Sequence, residues 1–194
     1  GDGDDVIDGG DGANIIYGND GDDTIYLGVG DAMQIGGVVQ NVGGNGYDTA
    51  IMGEGFSWNT GNWSWYGFEA VVGNSSANTI NGLDGNVGYN FQGGGGDDTI
   101  TTSGGDDTLD GGVGNDVLIG KAGDDHLTGG AGADMFVFAD GFGDDTVSDF
   151  EDGTLGEALD LAAVSAISDY ADLTANHMSQ IGSDVVIDDL NGNT

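Results

Sequence analysis

Residues 93–137 read GGGGDDTIT, TSGGDDTLD, GGVGNDVLI, GKAGDDHLT and GGAGADMFV, five consecutive nine-residue units in a single phase. Every unit carries aspartate at its sixth place (Asp98, Asp107, Asp116, Asp125, Asp134) and a large apolar residue at its eighth (Ile100, Leu109, Leu118, Leu127, Phe136). A fixed period of this kind marks a repeat architecture. The first six residues of a unit are turn formers, because glycine reaches positive φ and lets backbone carbonyls approach closely. The last three, such as Thr-Ile-Thr, are strand formers, and side-chain alternation turns only the middle one inward. Burying one Leu or Ile per unit falls several-fold short of the backbone entropy of ordering nine residues, so units must stack on one another. Two units make one coil with a turn on either side. That places Asp98, Asp116 and Asp134 in one column and Asp107 and Asp125 in the other. The ninth place, Asp110 in the second unit, is read as pointing outward.

Outward from this array the pattern loosens. A first repeat block, residues 1–26, has Asp5, Asn14 and Asp23 at its sixth places and Ile7, Ile16 and Ile25 at its eighth. Residues 27–72 are degenerate repeats and an insert. They hold one isolated unit, GGNGYDTAI with Asp48 in the sixth place, and the stretch MGEGFSWNTGNWSWYGFEAVV with Trp58, Trp63 and Trp65. The main array, residues 73–150, opens on GNSSANTIN with Asn78 in the sixth place and ends on a degenerate unit, DGFGDDTVS, with Asp145. Residues 151–194 change character. LGEALDLAAVSAISDYADL has little glycine and apolar spacings of three and four, which predicts a short amphipathic helix. SDVVIDDLNGNT predicts a strand entering an Asn-Gly turn. The chain starts inside a unit and stops where a further strand is expected, so it is read as part of a longer protein.

The 194 residues include 42 Gly, no Pro and no Cys, with 35 acidic residues against one basic residue, Lys121, for a formal net charge of -34. Of the acids 31 are Asp and four Glu. A merely solvated surface uses both, whereas Asp beside Gly points to turns and oxygen-ligand sites. The charge argues against nucleic acid and anionic membrane as partners. No apolar run is long enough to span a bilayer as a helix, no N-terminal signal peptide is visible, and disulfides are excluded.

Stacked carboxylates repel, and a divalent cation between turns reverses that by neutralising the column and drawing in backbone carbonyls. A site of about six to eight oxygens, mostly Asp and carbonyl, is a calcium site; magnesium keeps its waters and demands strict octahedral geometry. Zinc and copper prefer His or Cys, and the chain has only His126 and His177. The candidate ligands are Asp5, Asp23, Asp48, Asp98, Asp107, Asp116, Asp125, Asp134 and Asp145, with Asn14 and Asn78 as weaker members. The turn glycines Gly94, Gly96, Gly105, Gly112, Gly114, Gly123, Gly130 and Gly132 supply carbonyls. Lys121 replaces a glycine at a second place, where it is tolerable.

No catalytic arrangement is visible. HExxH and GxSxG are absent, there is no Cys nucleophile, and pairs such as Asp97/Asp98 are adjacent in sequence and so face different sides. His126, at a seventh place, reads as a solvated strand residue. The aromatic residues 56–68 read first as a plug between two roll segments, with glycan stacking or self-association as alternatives.

These units resemble the RTX repeat family, the calcium-binding nonapeptides of secreted bacterial toxins, proteases, lipases, epimerases and surface proteins. The resemblance covers residues 1–26, 43–51 and 73–148. It implies an all-β fold, a parallel β-roll with several calcium ions between turns on both sides. It also implies a secreted or cell-surface protein exported by a type I secretion machine, unfolded in the low-calcium cytoplasm and folding outside. The tail, GGAGADMFVFADGFGDDTVSDFEDG with LDL and DVVIDDLNGNT, is similar to the C-terminal capping and secretion region of serralysin-type proteins. Two other roles remain open: an S-layer, filament or adhesin subunit, and the C-terminal part of a secreted enzyme.

Overall fold

The computed structural model describes residues 2–10, 16, 18–28, 44–45, 49–53, 68–82, 88–150, 156–168, 172–181 and 184–188. From Ala70 to Ala163 short strands alternate between two sheets of parallel strands, as turn-strand-turn-strand coils require. The larger sheet contains β1 (Val6–Asp8), β3 (Thr24–Leu27), β5 (Thr49–Met52), β6 (Ala70–Val72), β8 (Asn90–Gly95), β10 (Thr108–Val113), β12 (His126–Ala131) and β14 (Asp144–Val147), all parallel and in that spatial order. The facing sheet contains β7 (Thr79–Asn81), β9 (Thr99–Thr101), β11 (Val117–Ile119), β13 (Met135–Ala139) and β15 (Ala158–Ala163), also parallel. A separate two-stranded piece pairs β2 (Asn19–Asp20) with β4 (Gly44–Asn45).

Register confirms the eighteen-residue coil: Leu109 lies beside Leu127, and Ile100 beside Leu118, which lies beside Phe136. Ile100, Leu109, Leu118, Leu127 and Phe136 are fully buried and form one core with Ile25, Ile80, Phe91 and Val147. The middle residue of each short strand therefore points inward, as alternation demands.

The end of the roll departs from the sequence reading. Ala158–Ala163 is a strand, not a helix; it pairs in parallel with β13 and half-buries Leu159 and Leu161 against the core. The unpaired edge of β13 offers a row of backbone groups that a short helix cannot satisfy, and this decides against the three-four spacing. Among the described residues the helix amounts to one turn, Leu173–His177. The expected last strand exists as β17 (Asp184–Asp188). It runs antiparallel to β14 and to β16 (Met178–Ile181), closing the large sheet with a change of direction. The Asn-Gly turn after it, Asp48, Asn14 and the aromatic residues 56–67 lie outside the described residues.

Candidate metal sites

Each described sixth-place aspartate of the main array sits on the inner side of its turn, just ahead of the strand. Asp98, Asp107, Asp116, Asp125, Asp134 and Asp145 are buried, each about 1–2 % exposed. One carboxylate oxygen is used within the stack. The backbone N–H of Asn78 donates to Asp98 Oδ1 at 2.6 Å, that of Asp98 to Asp116 at 2.7 Å, and that of Asp116 to Asp134 at 2.8 Å. On the opposite side Tyr89 donates to Asp107, Asp107 to Asp125, and Asp125 to Asp145, at 2.7–2.9 Å. In the first block Asp5 donates to Asp23 at 2.8 Å. Two columns result, with Asp98, Asp116 and Asp134 in one and Asp107 and Asp125 in the other.

The second oxygen is what makes these columns chemically unusual. Oδ2 of Asp98, Asp107, Asp116, Asp125 and Asp134 is buried with no hydrogen-bond partner. A buried carboxylate oxygen without a donor costs several kcal/mol, on the order of the desolvation of a charged group. The protein responds by disfavouring the charge. Burial, reinforced by neighbouring aspartates, pushes Asp98, Asp107 and Asp116 up to about 6, Asp125 to about 7 and Asp145 to about 9. A cation on this row of oxygens removes the penalty directly.

Glycine at the first place of a unit opens the room for it. A Cβ at Gly111 would stand 2.5 Å from Asp116 Oδ2 and 2.7 Å from the Gly129 carbonyl oxygen; at Gly129 it would stand 2.5 Å from Asp134 Oδ2. Gly93 and Gly120 are barred in the same way by Asp98 and Asp125. These first-place residues were absent from the sequence-derived candidates, although their near-invariant glycine was the visible signal. The candidates at the second and fourth places, Gly94, Gly96, Gly105, Gly112, Gly114, Gly123, Gly130 and Gly132, all adopt positive φ. The carbonyls of Gly94 and Gly96 lie against Gly112 and Gly114 of the next turn. Each interval between turns is thus lined by backbone carbonyls and a carboxylate oxygen, an all-oxygen donor set that suits calcium. Among the described residues no three His, Cys, Asp or Glu side chains converge on one point, so carbonyls must complete any such site.

Several sixth places differ. Asn78 turns its amide on its own turn: Oδ1 accepts from the Asn74 N–H at 3.1 Å and Nδ2 donates to Asn74 Oδ1 at 3.4 Å. Register puts Tyr89 beside Asp107 in the second column, where its ring packs on Gly82 and Phe91 and no carboxylate stands. At the far end of the first column register puts Glu157 beside Asp134, since Ala158 pairs with Met135. Tyr89 keeps the nine-residue phase, nine places before Asp98, but carries no acid and stands in a stretch without the glycine pattern; Glu157 lies 23 residues after Asp134, five more than two units.

Fifth places carry a second ladder. Asp97 Oδ1 accepts the Asn115 N–H, Asp106 the Asp124 N–H, and Asp124 the Asp144 N–H, while Asn115 Oδ1 accepts from Ala133, at 2.8–3.1 Å. This ladder is exposed and runs opposite to the inner one. Asp110, expected to point outward, is instead half-buried; its pKa is raised by burial and by the charge of Asp149. The register of sheet and turn explains this, because Asp149 follows β14 at the level where Gly129 follows β12. His126 is exposed and bonded to Ser148 at 2.7 Å.

Comparison with known proteins agrees with this geometry. The model of the RTX calcium-binding nonapeptide repeat matches in four copies, over residues 1–32, 66–86, 90–118 and 111–147, more than half of the chain. No curated protein and no solved structure matches. The repeats, the two-sided parallel coil and the oxygen-lined turns identify the chain as a member of the RTX calcium-binding nonapeptide repeat family, folded as a β-roll that binds several calcium ions.

Proposed function

We propose that the calcium ions sit between successive turns of each column, held by the sixth-place carboxylates and the turn carbonyls, and that their binding drives folding outside the cell. The ligands in this reading are Asp98, Asp116 and Asp134 in one column and Asp5, Asp23, Asp107, Asp125 and Asp145 in the other, with Asp48 a further ligand expected from the sequence alone. Asn14 and Asn78 hold weaker places. Gly94, Gly96, Gly105, Gly112, Gly114, Gly123, Gly130 and Gly132 give carbonyls. The row of buried Oδ2 atoms carries the proposal. Asp145 sits in the same column, and its strongly raised pKa marks it as the carboxylate with most to gain from a cation.

Calcium then acts as the structural complement of a chain that carries a net charge of -34. The module's role is stability and type I export competence of a larger secreted protein, and it has no catalysis of its own. Support for the last point is the absence of HExxH, GxSxG and Cys from the sequence. Among the described residues no helix is long and apolar enough to cross a membrane. Far-UV circular dichroism with chelator, then with calcium, tests the folding claim. We expect an expanded chain that collapses cooperatively in millimolar calcium, with equal magnesium failing to substitute. A fully folded chain in chelator would refute it. Turnover of casein, ester or alginate substrates by the pure chain would refute the non-catalytic part.

A further inference from the structure

The closed core of the repeats gives way at the cap to a cavity of about 480 Å³. Within the repeats the inward side chains, such as Leu127 and Phe136, are fully buried, because coils cover one another. Past the last unit the pattern changes. Among the described residues β15 is the last strand of the smaller sheet, and the larger sheet reverses direction at β17. Leu159 and Leu161 of β15, Phe150 ahead of it and Met178 of β16 are left half-buried around the space. Leu173 of the helical turn and Val185 of β17, 7 % and 6 % exposed, complete its apolar wall. One polar side chain stands in the lining among the described residues. It is the exposed Gln180, which alternation places on the same face of β16 as Met178.

We propose that this cavity binds a neutral single-chain amphiphile, an alkyl tail carrying an uncharged head such as a hydroxyl or amide. Its volume falls within the about 300–1,000 Å³ of small-molecule sites, which are lined mostly by apolar side chains with a few polar groups that fix orientation. The leucines, Phe150, Met178 and Val185 surround the tail, and an alkyl chain gains with every CH₂ it buries. Filling the space restores to Leu159, Leu161 and Phe150 the contacts that a further coil would give. The Gln180 amide both donates and accepts, so it suits a head that does the same. Charge decides against an anion such as a fatty-acid carboxylate. The elements around the cavity carry Asp160, Asp172 and Asp184 and no Lys or Arg, since Lys121 is the only such residue in the chain. The remaining basic group of the cap, His177, is buried and interacts with Asp172. A carboxylate brought here meets the field of a chain of net charge -34 with no basic side chain to pair it. A cationic head is drawn by that field to any part of the surface, so the neutral molecule is the one that reads the cavity itself.

The test uses the whole chain in saturating calcium, with circular dichroism reporting the fold. N-phenylnaphthylamine, a neutral fluorescent probe, is expected to bind one per chain and to be displaced by hexanol, octanol and decanol. Each added pair of carbons should tighten displacement on the order of tenfold. Octanoate should displace the probe at least about tenfold more weakly than octanol. Leu161→Trp, which puts an indole into the cavity, should lose the probe and keep the wild-type spectrum. Val113→Ala, which trims an exposed side chain on β10, should keep both. Where Leu161→Trp does not fold, methyl-labelled methionine in the wild-type chain decides. Octanol should move the Met178 methyl resonance and leave that of Met135, exposed on β13, in place. An unmoved Met178, a probe retained by folded Leu161→Trp, or octanoate as effective as octanol overturns the proposal. So does the absence of saturable probe binding.

Discussion

At the scale of the residue, adjacent aspartates in one unit perform different tasks. The fifth place faces solvent and accepts a backbone N–H from the next coil, as Asp106 does from Asp124. The sixth faces inward and accepts from the preceding coil, leaving an oxygen over. Asn115 shows that an amide serves the fifth place, since its Oδ1 keeps the ladder bond to Ala133. This gives a charge-matched comparison. Asp116→Asn and Asp106→Asn each remove one negative charge and keep an acceptor oxygen. Asp116→Asn is expected to raise the calcium midpoint of folding about tenfold, or ~1.4 kcal/mol, because two neighbouring intervals lose an anionic oxygen. Asp106→Asn should leave the midpoint within about twofold. Calcium titrations followed by circular dichroism decide it, and equal shifts would contradict the assigned roles. Asp110→Ala would make a poor control, because Asp110 confronts Asp149.

Among the elements, the turn is more exacting than the strand. Gly111→Ala forces a methyl against Asp116 Oδ2 and the Gly129 carbonyl, while a Cβ at Gly95 finds its nearest neighbour at an ordinary 3.5 Å. Gly111→Ala should therefore raise the calcium midpoint severalfold, and Gly95→Ala should not, in the same titration. Within the stack Leu118→Ala leaves a cavity, and a loss of about 2–5 kcal/mol is expected in denaturant melts at saturating calcium. The nine-residue phase made the strands, the inward Ile and Leu, and the two aspartate columns legible in the sequence, because local turn chemistry and alternation fix them. Asp149, Glu157 and the strand at Ala158–Ala163 were not legible. Their places depend on which sheet edge the chain returns to after an insertion, a long-range matter that no local spacing encodes.

Taken whole, the molecule sets protons against calcium. Asp98, Asp107, Asp116, Asp125 and Asp145 all have folded pKa values above the ordinary 3.8 of aspartate, from about 6 to about 9, with burial as the leading cause. The roll without calcium thus binds protons more tightly than the unfolded chain does. Protonation stabilises it fully below pH about 4 and the benefit fades as pH rises through about 6 to 9. In chelator, the strand signal should be stronger at pH 4.5 than at pH 7.5, and with calcium the order should reverse as ions replace protons. Calcium affinity should fall on acidification below pH about 7. Circular dichroism at both pH values, with and without calcium, checks the sign; a chelated chain more ordered at pH 7.5 would contradict it.

The tyrosine in the second column has a consequence for cooperativity. Where successive intervals share a carboxylate, filling one fixes a ligand of the next, and occupancy spreads between nearest neighbours as in a one-dimensional chain of coupled switches. Tyr89 interrupts that chain of contacts between the aspartates of the first block and Asp107, although the backbone sheet runs through it unbroken. On the proposed reading, ions at Asp5 and Asp23 would be coupled to those at Asp107, Asp125 and Asp145 only through strand pairing. Calcium uptake on this side should divide into two independent cooperative groups, whereas the opposite column, from Asp98 to Asp134, fills as one.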